Sequence, residues 1–372
     1  MIPFNKPYLT GKEVHYIYQA VSSGKISGDG MFTKKCHQYF EETVGFKKCL
    51  LTTSCTDALE MSALLLQIQP GDEVIMPAFT FVSTANAFVL RGAKIIFADS
   101  NSLNPNLDAT TIEPLISPRT KAIVVVHYAG IACDMDPIMK LAEKFNLWVV
   151  EDAAQAIDAS YKGRPLGSIG HMAAFSFHET KNIQCGEGGM LVINEDAFIK
   201  RAEIIREKGT NRSAFFRGET DKYGWVDVGS SFLPSEITAA FLYAQLENLK
   251  EIQTRRKQIW DKYNNAFAAL EKQGRIRLPH LPSYATNNAH MYYILCDDRT
   301  GLIAQLKKAE ILAVFHYLSL HNSAYYKDKH DGRQLPLSDA YTEELLRLPL
   351  YFELTDAEQD KVIRVITDFF AS

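Results

Sequence analysis

Between residues 73 and 152 short apolar runs alternate with amphipathic segments at a nearly constant pace. This alternation restricts the fold more than any other feature of the chain. Residues 73–76, closed by Pro77, read as a strand, and a helix follows within 79–90. Residues 94–98 form a second strand ending at Asp99, 108–116 read as a helix before Pro118, and 122–126 are apolar throughout. A helix over 136–145 leads into another apolar run, 147–150, which ends in Glu151-Asp152. Strands apolar on both sides are covered on both faces. Strands alternating with helices imply a largely parallel sheet with right-handed crossovers. Ligands of such sheets sit beyond the carboxyl ends of the strands. Those ends carry His127, Asp152 and, in a later hairpin-like pair, Lys181.

A chain of 372 residues exceeds one average domain. A large domain over 1–250 and a small one over 251–372 are therefore expected. A hydrophobic content of 47% supplies ample core. The net charge of -4 offers no basic field for nucleic acid. Six scattered cysteines, with no Cys-x-x-Cys, argue against a metal site and a disulfide framework and fit a reducing cytoplasm. The first residues do not read as a signal peptide, and no apolar run approaches the roughly 18 residues of a membrane span.

The chemistry concentrates at the strand ends. Residues 173–177 read as a buried strand, and Lys181 lies just past its exit. An amine desolvated on one side has a lowered pKa and can attack a carbonyl; a lone lysine is ordinarily a solvated turn residue, and it is the surrounding motifs that favour the first reading. Gly186, Gly188 and Gly189 let the backbone pass close to whatever lies there before a strand resumes at 190–193. Asp152 follows four apolar residues and Glu151, so its carboxylate needs a cation or several donors. It is either a salt-bridge or capping residue or the partner of a protonated ring nitrogen, with Gln155 beside it on the same face. Residues 48–52 form a short strand, and the helix within 53–66 opens with Thr53, Ser54 and Thr56. One hydroxyl there is an ordinary N-cap; several, with free N–H groups, also make an anion site suited to a phosphate.

Beyond a helix over 195–208, the loop 209–231 carries Arg212, Arg217 and Lys222, either to meet a nucleotide diphosphate or as solvated charge. A long helical stretch over 235–272 leaves the large domain. A strand over 291–295, a helix over 301–309 and a strand over 311–315 then build a small α/β domain, with His316, Tyr317 and His321 just past its last strand.

Four motifs, Ser54-Cys-Thr-Asp-Ala-Leu59, Pro77-Ala-Phe-Thr-Phe81, Glu151-Asp-Ala-Ala-Gln155 and Ser176-Phe-His-Glu-Thr-Lys-Asn182 with Gly186-Glu-Gly-Gly189, resemble the DegT/DnrJ/EryC1/StrS sugar aminotransferases. The resemblance runs in order over nearly the whole chain. It implies an α/β fold of type I among the transferases dependent on pyridoxal 5'-phosphate (PLP): a mostly parallel mixed sheet flanked by helices, plus a smaller C-terminal α/β domain. It implies Lys181 as the lysine that carries PLP, Asp152 as the partner of the ring nitrogen, Gln155 on the ring oxygen and Phe81 stacked on the ring. Thr56, the adjacent amides including that of Cys55, and Ser176 would form the phosphate cup. Two departures stand out. Cys55 replaces a glycine common in the family, and Ser231, within Gly229-Ser-Ser-Phe-Leu233, replaces an asparagine that reaches the partner subunit's phosphate.

Further stretches, among them Ser27-Gly-Asp-Gly30, Arg206-Glu-Lys-Gly-Thr-Asn-Arg-Ser213 and Val314-Phe-His-Tyr317, look like members of the family that make dTDP-4-amino-4,6-dideoxygalactose for enterobacterial common antigen. That likeness implies L-glutamate as donor, dTDP-4-keto-6-deoxyglucose as acceptor, Arg212, His316 and Tyr317 on the substrate side, and a homodimer, or higher assembly, with shared sites. Transaminases acting on a 3-keto sugar or giving the gluco epimer are the alternatives. The dehydratases of the family carry histidine where this chain has Lys181. A regulatory DNA-binding protein would need a basic helix-turn-helix, and a dinucleotide dehydrogenase would need Gly-x-Gly-x-x-Gly at a helix start.

Overall fold

A computed structural model describes residues 1–371. Helices α1 (Glu13–Ser22) and α2 (Met31–Gln38) precede strand β1 (Lys48–Thr52) and helix α3 (Cys55–Leu65). Then β2 (Glu73–Pro77), α4 (Val82–Val89), β3 (Lys94–Ala98), β4 (Thr120–Val126), α5 (Met135–Phe145) and β5 (Trp148–Asp152) follow in alternation. A small hairpin, β6 (Ser160–Tyr161) and β7 (Arg164–Pro165), leads into β8 (Met172–Ser176) and β9 (Gly189–Ile193). Among the described residues the main sheet has seven strands in the order β1-β9-β8-β5-β4-β2-β3, and only β9 runs against the others. The carboxyl ends of β1, β4, β5 and β8 and the start of β9 therefore share one edge.

Period-two alternation divides the strand side chains between the two sheet faces. Val149 packs in the core on one face of the sheet and Val150 in the core on the other. The same alternation carries on into Glu151 and Asp152 and sends the two carboxylates to opposite faces.

Before the C-terminal part, sequence expectations for local structure require correction in three places. The helix expected over 108–116 is two 3₁₀ turns, Ala109–Thr111 and Glu113–Leu115. Asp108 caps the first by accepting from Thr110 N–H at 2.9 Å, and Pro114 lacks the N–H that would continue an α-helix. The stretch 235–272 is two helices, α8 (Glu236–Leu246) and α9 (Leu249–Lys272), separated where the Asn248 side chain donates to the Ala244 carbonyl at 2.9 Å. The loop 209–231 holds a short helix, α7 (Arg212–Phe216), after α6 (Asp196–Arg206).

The C-terminal part contains β10 (Tyr292–Leu295), α10 (Arg299–Lys308), β11 (Val314–Phe315), α11 (Pro336–Glu344), β12 (Leu345–Leu348) and α12 (Asp356–Ala371). Its sheet has the order β10-β12-β11, all antiparallel. Strand β11 is shorter than the expected 311–315, because Ile311 instead bridges Ile2. Helix α9 belongs to two cores: Leu249 and Ile252 pack with the main sheet, and Ile259, Tyr263 and Phe267 pack with β10, β12 and α12. The division expected at residue 250 thus falls in the first turn of this helix. Among the described residues no helix is long and apolar enough to cross a membrane.

Candidate active site

At the carboxyl edge of the sheet lies a cavity of about 610 Å³, roofed on one side by the C-terminal part. It is lined by Cys55, Thr56, Phe81, Asp152, Gln155, Ser176, Lys181, His316 and Tyr317, nine of the eleven residues to which the family resemblance gives a role. They reach it from the starts of α3 and α4, the ends of β5 and β8, the turn after β8 and the segment after β11.

The start of α3 is built for close approach. Ser54 is the N-cap, its hydroxyl accepting from Asp57 N–H at 3.0 Å, which accounts for one of the three clustered hydroxyls. Thr53 is spent on the Asp57 carboxylate. Thr56 donates to Ser83 Oγ at 2.9 Å across the cavity wall. Gly189 at the start of β9 lies flush against this helix start, so a Cβ there would stand 2.3 Å from the Ser54 carbonyl carbon. Ser176 accepts from His178 N–H at 3.3 Å. With Thr53 holding the Asp57 carboxylate, the remaining hydroxyls and the unbonded N–H groups of this helix N-terminus suit a phosphate.

Asp152 is 6% exposed. One carboxylate oxygen accepts from Thr84 Oγ1 at 2.6 Å, and the other from Ala154 N–H at 3.2 Å. Burial raises its pKa, while the Thr84 and Ala154 bonds and the charge of Lys181 pull the other way. A carboxylate in that balance is poised to accept a further charged donor. The Lys181 amine has no hydrogen bond or ion pair among the described residues. Burial lowers its pKa to about 8, the Arg347 charge adds to the effect, and Asp152 offsets part of it. Such an amine is neutral often enough to attack a carbonyl at neutral pH. Gln155 accepts from Ala129 N–H at 2.6 Å and donates to Tyr317 Oη at 3.2 Å, which fixes its amide at the cavity wall. Phe81 is 53% exposed at the mouth, with its ring 5.8 Å from that of Tyr317. The Tyr128 hydroxyl lies 3.1 Å from His316 Nδ1.

Two sequence-singled residues stand outside the cavity. Ser231 is exposed and bridges Glu207, although the next residue, Phe232, accepts from Thr53 N–H at 3.0 Å beside the α3 start. Arg212 is exposed, with its guanidinium 5.1 Å from the Phe216 ring. Nor do two strand-end histidines reach the site. His127 is fully buried on Glu151 at 2.9 Å, and that carboxylate also accepts from Gly167, Ile169 and Gly170 N–H. Burial opposes the Glu151 charge, but these bonds outweigh it and hold its pKa below the usual range. His321 packs against His330 and pairs with Asp339, away from the cavity.

Sequence reasoning missed Thr84, His290 and Arg347. Ser83 and Thr84 read only as a polar helix start. Arg347, a lone charge in the apolar run of β12, was the signal most open to recognition.

The donor set fits PLP on its chemistry alone: a depressed lysine, a buried carboxylate and a hydroxyl-edged helix start face one enclosed volume. Comparison with known proteins agrees. The model of the DegT/DnrJ/EryC1/StrS aminotransferase family matches residues 7–367. The spore coat polysaccharide biosynthesis protein SpsC of Bacillus subtilis is 32% identical over 99% of this chain and 96% of its own. The aminotransferase TlmJ of Streptoalloteichus hindustanus superposes with a TM-score of 0.91 at 29% identity, covering 100% of this chain and 99% of its own. A Streptococcus pneumoniae protein solved in its PLP form gives 0.89 at 28% identity over 99% and 98% of the two chains.

Proposed function

The chain belongs to the DegT/DnrJ/EryC1/StrS aminotransferase family and is a sugar aminotransferase that works with PLP, and from that premise we propose that it moves the amino group of L-glutamate onto dTDP-4-keto-6-deoxyglucose. The products are 2-oxoglutarate and dTDP-4-amino-4,6-dideoxygalactose. Overall, the donor carbon gives up its amino group and a hydrogen and takes the oxygen of the ketone. The sugar carbonyl carbon becomes one that bears hydrogen and an amine. The observation that carries the reading is the convergence of Lys181, Asp152 and the α3 start on one cavity. The motif likeness described from sequence supports the acceptor, and the destination we propose is a cell-surface polysaccharide.

PLP, when bound, supplies an electron sink for the carbon that loses its proton. Lys181 would hold the cofactor and, with its amine free, would take the proton from the donor carbon and deliver one to the sugar carbon. Asp152, its carboxylate fixed by Thr84, would accept a charge-assisted hydrogen bond from the protonated ring nitrogen and keep the proton there. Thr56, Ser176 and the amides at Cys55 and Thr56 would hold the phosphate, Gln155 would bond the ring oxygen and Phe81 would stack on the ring. His316 and Tyr317 border the sugar.

The working unit in this reading is a twofold homodimer in the cytoplasm, where six unpaired cysteines persist. The loop 209–231 exposes Phe216, Tyr223 and Trp225, at 69%, 53% and 84%, an aromatic face suited to a second copy. Ser231 and Arg212 then serve the neighbouring site.

Incubation with glutamate and a panel of keto sugar nucleotides, with product identification by mass and NMR, tests the substrate. The expected product is the 4-amino galacto sugar. A 3-amino or gluco product reassigns position or configuration, and no turnover of any keto sugar nucleotide overturns the substrate reading. Mixing Lys181→Ala with a deletion across 212–222 tests the assembly, since shared sites recover part of the activity in mixed dimers. No recovery despite subunit exchange means that each site is built within one chain.

A further inference from the structure

Strand β12 reads Leu345-Leu-Arg-Leu348, one charge in an apolar run. Its alternation sends Leu346 and Leu348 into the core of the C-terminal part. Leu345 and Arg347 face the other way, where Leu345 packs with Tyr128, Tyr293 and Tyr341. β12 is the central strand, so Arg347 is flanked in register by Tyr293 and Val314 and its backbone is held on both sides.

The Arg347 side chain borders the same cavity as Lys181, and the residue is 9% exposed. The Phe4 ring lies 4.5 Å from the guanidinium carbon, covering one face of the plane and leaving its N–H edges free. Among the described residues no carboxylate pairs with Arg347 and no hydrogen bond reaches its side chain; Nε is buried without a partner. A buried, unpaired cation is among the costlier groups a fold can hold. Beside a reaction cavity, it marks the place where an anion arrives.

We infer that Arg347 binds the α-carboxylate of the amino-acid donor. The assignment rests on the aminotransferase activity and not on the identity of the sugar. Three anions enter this site, and position separates them. The cofactor phosphate has the hydroxyl-edged start of α3. A sugar diphosphate leaves the sugar ring at the anomeric carbon, across the ring from a 4-keto carbon, so its charge lies toward the cavity mouth. Only the α-carboxylate is bonded directly to the reacting carbon and must sit at the depth of Lys181. Arg347 lines the cavity together with Lys181 and a second small void together with Thr180, the residue before Lys181, and its charge depresses the Lys181 amine. The neighbouring His290 and His316 are held neutral by burial and by these two cations, so they do not compete for the anion as charges. The planar fork of a guanidinium matches a carboxylate with two parallel bonds, which a lysine cannot do.

The test compares wild-type holoenzyme with R347M and R347K. Each half-reaction is followed separately through the cofactor absorbance, one with L-glutamate and one with the aminated sugar nucleotide in reverse. For R347M, kcat/KM for glutamate should fall about 100-fold, and for R347K roughly tenfold, while the amino-sugar half-reaction changes less than about threefold. Calorimetric binding of 2-oxoglutarate to the holoenzyme should weaken in parallel, a readout independent of turnover. An equal loss in both halves would overturn the inference, leaving Arg347 a role in the fold or the cofactor site. A loss confined to the amino-sugar half would assign it to the diphosphate, and no loss would remove it from recognition. If R347M does not fold, R347K decides alone because it keeps the charge. If wild type accepts no amino sugar, the proposed acceptor fails, while the glutamate and 2-oxoglutarate measurements still decide Arg347.

Discussion

The state of Lys181 in cofactor-free protein can be read directly from how fast it takes up PLP. Burial, aided by the Arg347 charge, holds its pKa at about 8 against an ordinary 10.5. At pH 7 an ordinary lysine amine is neutral in roughly one molecule in three thousand, whereas one at about 8 is neutral in roughly one in ten, a gain of ~300-fold in nucleophile. The rate of covalent PLP attachment, followed by absorbance in stopped flow between pH 7 and 10, should therefore rise about tenfold from pH 7 and level off above about 8. Stability provides a second reading. The unfolded chain keeps the Lys181 proton up to its ordinary value and the folded chain only to about 8, so the unfolded state binds more protons between those values. Cofactor-free protein should gain up to about 3 kcal/mol as pH rises through that window, and Lys181→Met should abolish the gain. An attachment rate that climbs tenfold per pH unit to pH 10 would show a solvated amine and refute the reasoning.

Asp152→Asn should keep the fold and lose roughly a hundredfold in turnover, about 3 kcal/mol, because an amide cannot hold a ring-nitrogen proton; wild-type kinetics would give Asp152 a structural role only. Thr56→Ala or Ser176→Ala should weaken PLP retention on dialysis by about tenfold or more while sparing turnover at saturating cofactor, and unchanged retention would remove these hydroxyls from the phosphate site. Glu151→Gln, on the opposite face of β5, should cost about 3–5 kcal/mol in urea unfolding, since it breaks a buried pair and strips charge from a carboxylate bound by three backbone N–H groups; a loss below about 1 kcal/mol would mean the His127 contact carries little.

The main sheet was legible because doubly apolar runs such as 122–126 leave few alternatives to a covered parallel strand. What failed were details decided by single side chains. Pro114 and the Asp108 cap break an apparent helix into 3₁₀ turns, and Asn248 ends α8 inside what reads as one helical stretch. No periodicity could reveal that Ile311 would leave its strand to meet Ile2, because that pairing joins residues 309 positions apart.

The candidate site divides along the same line. Lys181, Asp152, Gln155 and the α3 start each sit in a short contiguous motif at a strand end, so a few neighbouring residues declare the environment. Glu151 and Asp152 show the limit of this: both are buried carboxylates in sequence, and only the alternation of β5 assigns one to a core bond with His127 and the other to the cavity. The substrate side has no such motif. Phe4, His290, His316 and Arg347 come from four separate segments, Phe4 from the far end of the chain, and meet only where the C-terminal part closes over the sheet edge. Composition alone still contained a clue, since a charge in the centre of a buried strand must find a partner. For Glu151 that partner is in the fold. For Arg347, among the described residues, it is not, and the side chain that folding leaves unpaired is the one that faces the cavity.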